Sequence, residues 1–274
     1  MALRFGICNE MFENWTWPDI CQEARRIGYQ GVEIAPFTLA ARVTNLGAAE
    51  RQEIRRVAEE AGLAVIGLHW LLVSPKGLYL NTPDSAVRRA TQDYLRRLVD
   101  FCGDLGGEVM VLGSPKQRNL LPGVDYETAW ALTKETLNAL LPTAAERAVT
   151  LCLEPLTPKD TDFLNTAAEV RRMIQEINHP RMRMILDVRS ASSEGRPVAQ
   201  ILAANQEWVA HVHANDPNER GPGFGDADFR PIFAQLERQA YQGWVSVEVF
   251  DFSPDPVIIA SESIAYMRQA AGLD

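Results

Sequence analysis

Four residues in the second half of the chain carry side chains able to bind divalent cations and to move protons: Glu154, Asp187, His213 and Glu248. They are spaced 33, 26 and 35 residues apart, and each falls near the end of a short apolar run, in "TLCLEPL", "RMILDV", "VAHVHA" and "VSVEVF". Three carboxylates buried together would each lose hydration and repel the others, a cost that one divalent cation removes. Three oxygen donors and one imidazole suit a hard or borderline ion such as Mn²⁺, Mg²⁺ or Co²⁺, and Zn²⁺ is compatible. Taken singly, each carboxylate reads as an ion-pair partner or helix cap, and the histidine equally well as a core residue. The grouping on four consecutive runs is what points to a shared metal site. His211 precedes His213 by two residues, so on a strand both rings share a face. Being one layer deeper, His211 is expected to support His213 rather than to bind metal.

Eight apolar runs recur along the chain, at residues 3–8, 31–37, 64–70, 108–114, 150–156, 183–188, 209–214 and 245–250. Most are nearly continuous hydrophobic segments, the pattern of parallel strands covered on both faces. Between them lie stretches of helical spacing, among them 48–62, 85–106, 126–148, 166–177 and 228–241. Gly28, Gly62 and Gly106 stand where helices end, while Asn165-Thr166 and Asp226 to Asp228 stand where helices start. No Pro/Gly/Ser-rich linker interrupts the series. The expectation is an α/β chain with residues 1–274 in one (β/α)8 barrel domain, a doubly wound open sheet being the alternative. No G-x-G-x-x-G follows the first strand, so no nucleotide cofactor is expected. In such a barrel, chemistry sits at the C-terminal ends of the strands, where the four residues fall.

With 46% hydrophobic and 23% charged residues among 274, the chain can bury a large core. Its net charge of −9 argues against a nucleic-acid partner, because phosphate binding relies on Lys and Arg. Cys8, Cys21, Cys102 and Cys152 form no CxxC pair, which favours free thiols in a reducing compartment. "MALRFGICNEMF" reaches Asn9 and Glu10 too soon for a signal-peptide apolar region, and the longest apolar run is too short to cross a bilayer. A soluble, cytoplasmic protein with no membrane partner is expected.

The segments "CLEPLTPKDTDFLNT", "ILDV", "HVHANDPNERGPGFGD" and "VSVEVF" resemble the xylose-isomerase-like TIM barrels. They are most similar to the ketose 3-epimerase branch, which holds D-tagatose and D-psicose 3-epimerases and sugar-phosphate isomerase/epimerase relatives. The resemblance covers essentially the whole chain, and the spacing of the four ligands is its specific part. It implies a Mn²⁺-type site on Glu154, Asp187, His213 and Glu248, with Glu154 and Glu248 doubling as catalytic acid/bases. The implied reaction is epimerisation or isomerisation of a ketose or keto-sugar through a cis-enediolate. One Glu takes the proton next to the carbonyl and the other returns one to the opposite face. Glu33 in "VEIAPF" and His69 in "GLHW" match substrate-pocket positions. By analogy, a homodimer or homotetramer is expected.

Three departures bear on substrate. Ser190 stands where the ketose 3-epimerases have His, the shorter Asp160 stands where they have Glu, and Glu219 stands where an Arg is found, with Arg220 displaced by one. Asp160, Ser190, Glu219 and Arg220 thus define an altered hydroxyl-binding shell. It points away from a free ketohexose and toward a keto-glycoside or another modified keto-sugar. The same chemistry would serve a lyase or dehydratase acting on a keto-sugar, keto-glycoside or inosose. An endonuclease-IV-like repair enzyme shares the barrel but needs three zinc ions and more than four histidines. A barrel that binds sugar without turnover would not need both Glu154 and Glu248. The "GPGFG" run (221–225) reads as a mobile loop over the site. Lys116 and Arg118 are substrate contacts or loop residues, and Trp15, Trp17, Phe37 and Trp70 are an apolar wall or core filling.

Overall fold

A computed structural model describes residues 3–273. Eight parallel strands close into a barrel in chain order: β1 (Arg4–Cys8), β2 (Gly31–Ile34), β3 (Ala64–Leu68), β4 (Val109–Leu112), β5 (Thr150–Leu153), β6 (Met182–Asp187), β7 (Val209–Ala214) and β8 (Trp244–Val247). Around it run α1 (Trp17–Ile27), α2 (Ala48–Glu60), α3 (Ser85–Asp104), α4 (Tyr126–Asn138), α5 (Leu141–Glu146), α6 (Ala167–Ile177), α7 (Val188–Ser192), α8 (Val198–Ala204), α9 (Arg230–Arg238) and α10 (Pro256–Ala270). The closed ring, with β8 paired to β1, excludes the open doubly wound sheet. No helix among the described residues is long and apolar enough to cross a membrane.

Side-chain alternation divides the strands between two cores. Phe5, Val32, Leu151, Leu186 and Val212 pack against helix residues such as Ile20, Leu95, Val170, Phe233 and Ile264. A smaller cluster of Ile66, Val109, Val111, Cys152, Ile185 and Trp244 fills the barrel interior. Further along the strands the same inward face turns polar: Cys152 leads to Glu154, Ile185 to Asp187, and Trp244 to Ser246 and then Glu248. The apolar layers therefore form a plug with the polar site resting on it.

Local signals explain most element ends, and two expectations need correction. Gly28 adopts φ 114°, the left-handed conformation that ends α1. Thr166 and Glu169 form a reciprocal capping box at the start of α6, with Thr166 Oγ1 accepting from Glu169 N at 3.2 Å and Glu169 Oε2 from Thr166 N at 2.9 Å. Thr166→Ala is expected to cost about 1 kcal/mol in urea unfolding, with no effect on metal binding. The stretch 126–148 is two helices, because Pro142 cannot continue α4 and instead opens α5. The helix expected over 228–241 is shorter and starts without a side-chain cap. Phe229 is its N-cap, and Pro231 in the first turn has no N–H to satisfy.

Candidate metal centre and the cavity above it

Strand register brings the four sequence-distant groups together. Asp187 stands opposite His213, and His213 opposite Ser246, two residues before Glu248. Glu154 and Glu248 lie one residue past the ends of β5 and β8. One donor atom from each of Glu154, Asp187, His213 and Glu248 lies within 4.8 Å of the others, and all four residues are buried.

The network around them is directional. Asp187 Oδ1 accepts from Ser190 N at 2.6 Å, and Oδ2 accepts from Asn215 Nδ2 at 2.5 Å. Glu33 sits beneath, fully buried, and joins both histidines: its Oε2 lies 2.8 Å from His211 Nε2, its Oε1 3.2 Å from His213 Nε2. In the neutral ring, with Nε2–H of His213 donating to Glu33, Nδ1 keeps its lone pair. That atom is buried without a hydrogen-bond partner, 3.0 Å from Glu248 Oε2.

Electrostatics describe a place short of positive charge. Burial, then Glu248 and Asp187, push the Glu154 carboxyl up to about 8. Burial opposes charge on His213, yet Glu248 and Glu33 outweigh it and raise the imidazole well above its usual value. For Glu33 burial is likewise outweighed, here by His211 and His213, which hold it well below the usual carboxylate range. Three converging carboxylates and an orphaned imidazole nitrogen fit a divalent cation, whose charge would satisfy every one of these groups.

Above the cluster opens a cavity of about 360 Å³, within the range of small-molecule sites. Glu154, Asp187 and Glu248 form its floor; His69, Asp160, Ser190 and Glu219 also line it. Ser190 Oγ is buried there without a partner. Trp70 and Phe250 meet edge to face at 6.1 Å on one wall.

Other expected residues lie elsewhere. Glu33 is below the floor rather than on the wall. Arg220 pairs with Asp251 at 2.9 Å, outside the lining. Among the aromatic candidates only Trp70 reaches the cavity, since Trp17 donates to Ile54 O and Trp15 and Phe37 are exposed. The Gly-rich run does not cover the site. Gly221 and Gly223 pack against Ser263 and Tyr266 of α10, where any larger residue would collide.

Arg189, Asn215 and Gly113 carried no sequence signal as site residues, and Arg118 has a role other than the two expected of it. Arg189 lines the cavity, 2.7 Å from Asp160, 3.0 Å from Glu219 and over the Phe250 ring at 4.9 Å. Asn215 orients Asp187 and also accepts from Arg189 N at 2.9 Å; it follows His213 by two residues, a cue that alternation offers. Arg118 is fully buried and donates to the carbonyls of Glu154 (2.7 Å) and Leu164 (3.1 Å), so it is neither a substrate contact nor a solvated loop residue. Gly113 is required by close approach, because a Cβ there would overlap Glu154 Oε2. Gly113→Ala is expected to displace that carboxylate and lower Mn²⁺ affinity on the order of tenfold with little loss of stability. An unchanged Mn²⁺ titration would refute this.

The comparisons with known proteins agree with this architecture. Residues 21–270 match the model of a family described as "Xylose isomerase-like TIM barrel". 3-Dehydro-D-guloside 4-epimerase of Escherichia coli (strain K12) is 32% identical over 137 residues, which cover 50% of this chain and 52% of that relative. The chain thus matches about half the length of that protein. A probable ketose 3-epimerase of Synechocystis sp. is 24% identical over 275 residues, covering 91% of this chain and 89% of the relative. Among solved structures, apo 3-keto-D-glucoside 4-epimerase from E. coli superimposes with a TM-score of 0.85 at 23% identity, over 98% of this chain and all of that one, a likeness of fold. With a closed parallel barrel and a family match over nearly its whole length, the chain belongs to the xylose isomerase-like TIM barrel family.

Proposed function

We propose that this chain is a divalent-metal-dependent carbohydrate epimerase acting on a ketose or keto-sugar, with Glu154 and Glu248 exchanging protons at the carbon beside the carbonyl. One observation carries the reading. Three buried carboxylates and an unpartnered imidazole nitrogen converge at the floor of a sugar-sized cavity. Glu154, Asp187, His213 and Glu248 would hold the ion, Mn²⁺ being the best match to three oxygens and one nitrogen. When bound, the ion would polarise the substrate carbonyl and its neighbouring hydroxyl, acidifying the carbon between them.

The remaining steps belong to the protein. Glu154, already inclined to hold a proton at neutral pH, suits the role of proton donor and acceptor on one side of the substrate. Glu248 follows β8, three strands on from β5 around the ring, and serves the other side. Arg189, braced by Asp160 and Glu219, presents a fixed cation to the substrate, and Ser190 Oγ is free to bond a hydroxyl. His69 lines the same wall, its Nε2 2.6 Å from Glu10 Oε2. The activities of the relatives, epimerisation of a 3-dehydro-guloside and, for the second, probable epimerisation of a ketose, support this reaction class.

The test is solvent deuterium uptake. Mn²⁺-loaded protein would be incubated in D₂O with ketoses, ketose phosphates and 3-keto-glycosides and followed by NMR. Uptake beside the carbonyl with a new diastereomer supports the proposal. Uptake with release of water or aglycone replaces epimerase by lyase, and no uptake with any compound defeats it.

A further inference from the structure

The loops after β3, β4 and β5 repeat one tripeptide pattern: Ser74-Pro75-Lys76, Ser114-Pro115-Lys116 and Thr157-Pro158-Lys159. Lysine is scarce in this chain, with 4 residues against 23 arginines, so three at the C-terminal rim of consecutive strands are not a by-product of composition. The fourth, Lys134 on α4, pairs with Glu176 at 2.8 Å. Lys76, Lys116 and Lys159 are exposed and have no ion-pair partner among the described residues. Lys76 and Lys116 line the cavity; Lys159 adjoins Asp160, which also lines it.

These loops form one fixed frame. Leu72 N donates to Ser114 Oγ at 3.1 Å, Leu80 N to Gln117 O at 2.8 Å, and Tyr79 Oη to Asn119 O at 2.8 Å, joining the first loop to the second. Leu120 N donates to Asp162 Oδ1 at 2.7 Å, joining the second to the third. The lysines are therefore held on one side of the mouth.

Charge in the cavity is separated by height. Arg189 pairs with both Asp160 and Glu219 and offsets one of their two charges, while Glu154, Asp187 and Glu248 stand at the floor and the unpaired lysines at the rim. An anionic group is repelled from the floor and drawn to the rim, which would orient a substrate with its reacting end down. A neutral sugar would leave the rim unused. We propose that the Lys76/Lys116 rim binds a phosphate or carboxylate on the end of the substrate remote from the metal site, making the substrate class acidic keto-sugars. The inference rests on the cavity being a keto-sugar site.

Calorimetric titration of the Mn²⁺-loaded protein at low salt with D-fructose, D-fructose 6-phosphate and D-fructuronate tests it, since these differ at C6 alone. At least one anion is expected to bind on the order of tenfold more tightly than fructose, and the tighter anion names the group. The double variant Lys76→Glu/Lys116→Glu should reverse that order, which anion binding at the metal alone would not do. Equal affinities, no binding by either anion, or a ratio unmoved in the variant would overturn the proposal. Charge preference without deuterium uptake on any keto-sugar keeps the rim and removes the epimerase reading. Uptake without charge preference does the opposite.

Discussion

Glu248→Gln is expected to lower turnover by on the order of a thousandfold or more while Mn²⁺ still binds, though more weakly. A positioned acid/base contributes roughly 10²–10⁴ in rate, and Glu248 is also one of the four groups that would hold the ion. The amide keeps an oxygen near the site but loses the charge and the ability to take a proton. The informative readout is the half-reaction. If Glu154 serves one side and Glu248 the other, Glu248→Gln should still exchange the substrate proton that Glu154 removes, without forming the epimer. Glu154→Gln should show the reverse preference, using the product as starting material. Wild-type rates of inversion in Glu248→Gln would end the two-base mechanism, whatever became of the metal.

Removing Glu33 should have the largest effect on the folded state. Its carboxylate receives the Nε2 groups of both His211 and His213, and all three residues are fully buried. Glu33→Ala leaves two imidazoles without that partner in an interior closed to water. Breaking a buried ionic network in this way costs about 3–5 kcal/mol, a large part of the roughly 5–15 kcal/mol available to a typical domain. It also frees the His213 ring to turn and to change tautomer, so Mn²⁺ affinity should fall by roughly 10- to 100-fold. Urea unfolding and Mn²⁺ titration measure the two effects separately. Glu33→Gln, which retains one acceptor oxygen, should fall between Ala and the native protein. If Glu33→Ala kept its stability within about 1 kcal/mol and bound Mn²⁺ as before, Glu33 would have no positioning role.

Much of this architecture was readable in the residues because it follows from repetition. Eight short apolar runs, most of them nearly continuous and alternating with helical stretches, fit strands covered on both sides, and the ends of the last four place Glu154, Asp187, His213 and Glu248 on one rim without any knowledge of the loops. Residues acting from outside that periodic frame were hidden. Arg189 follows Asp187 by two, but β6 gives way at once to the short helix α7, so strand alternation says nothing about where its side chain goes. Glu219 reaches the cavity from a backbone at φ 74°, whose carbonyl accepts from the amides of Phe250 and Asp251; that turn sends Arg220 outward to Asp251. The Gly221–Gly225 segment has the composition of a free flap, yet Gly221 and Gly223 let α10 approach and Gly225 lets the loop close on Asp216. Glu33 sits on an inward position of β2, and its placement below rather than beside the site depends on the relative heights of β2 and β7 across the barrel, a distance no single strand encodes.

Arg118 links the wall of the cavity to its floor, since one guanidinium holds the carbonyl of Glu154 and that of Leu164 while its own loop is tied to the segments on either side. Segments ordered in this way have little conformational freedom left to lose when a ligand arrives, so the entropic cost of arranging them is incurred during folding and not again at each encounter. Both halves of the mouth are framed in this way, the β7 and β8 loops by Glu219 O accepting from Phe250 N and Asp251 N, and the Arg189 side chain bridges the halves through Asp160 and Glu219, so widening the mouth for a larger substrate means breaking those ion pairs.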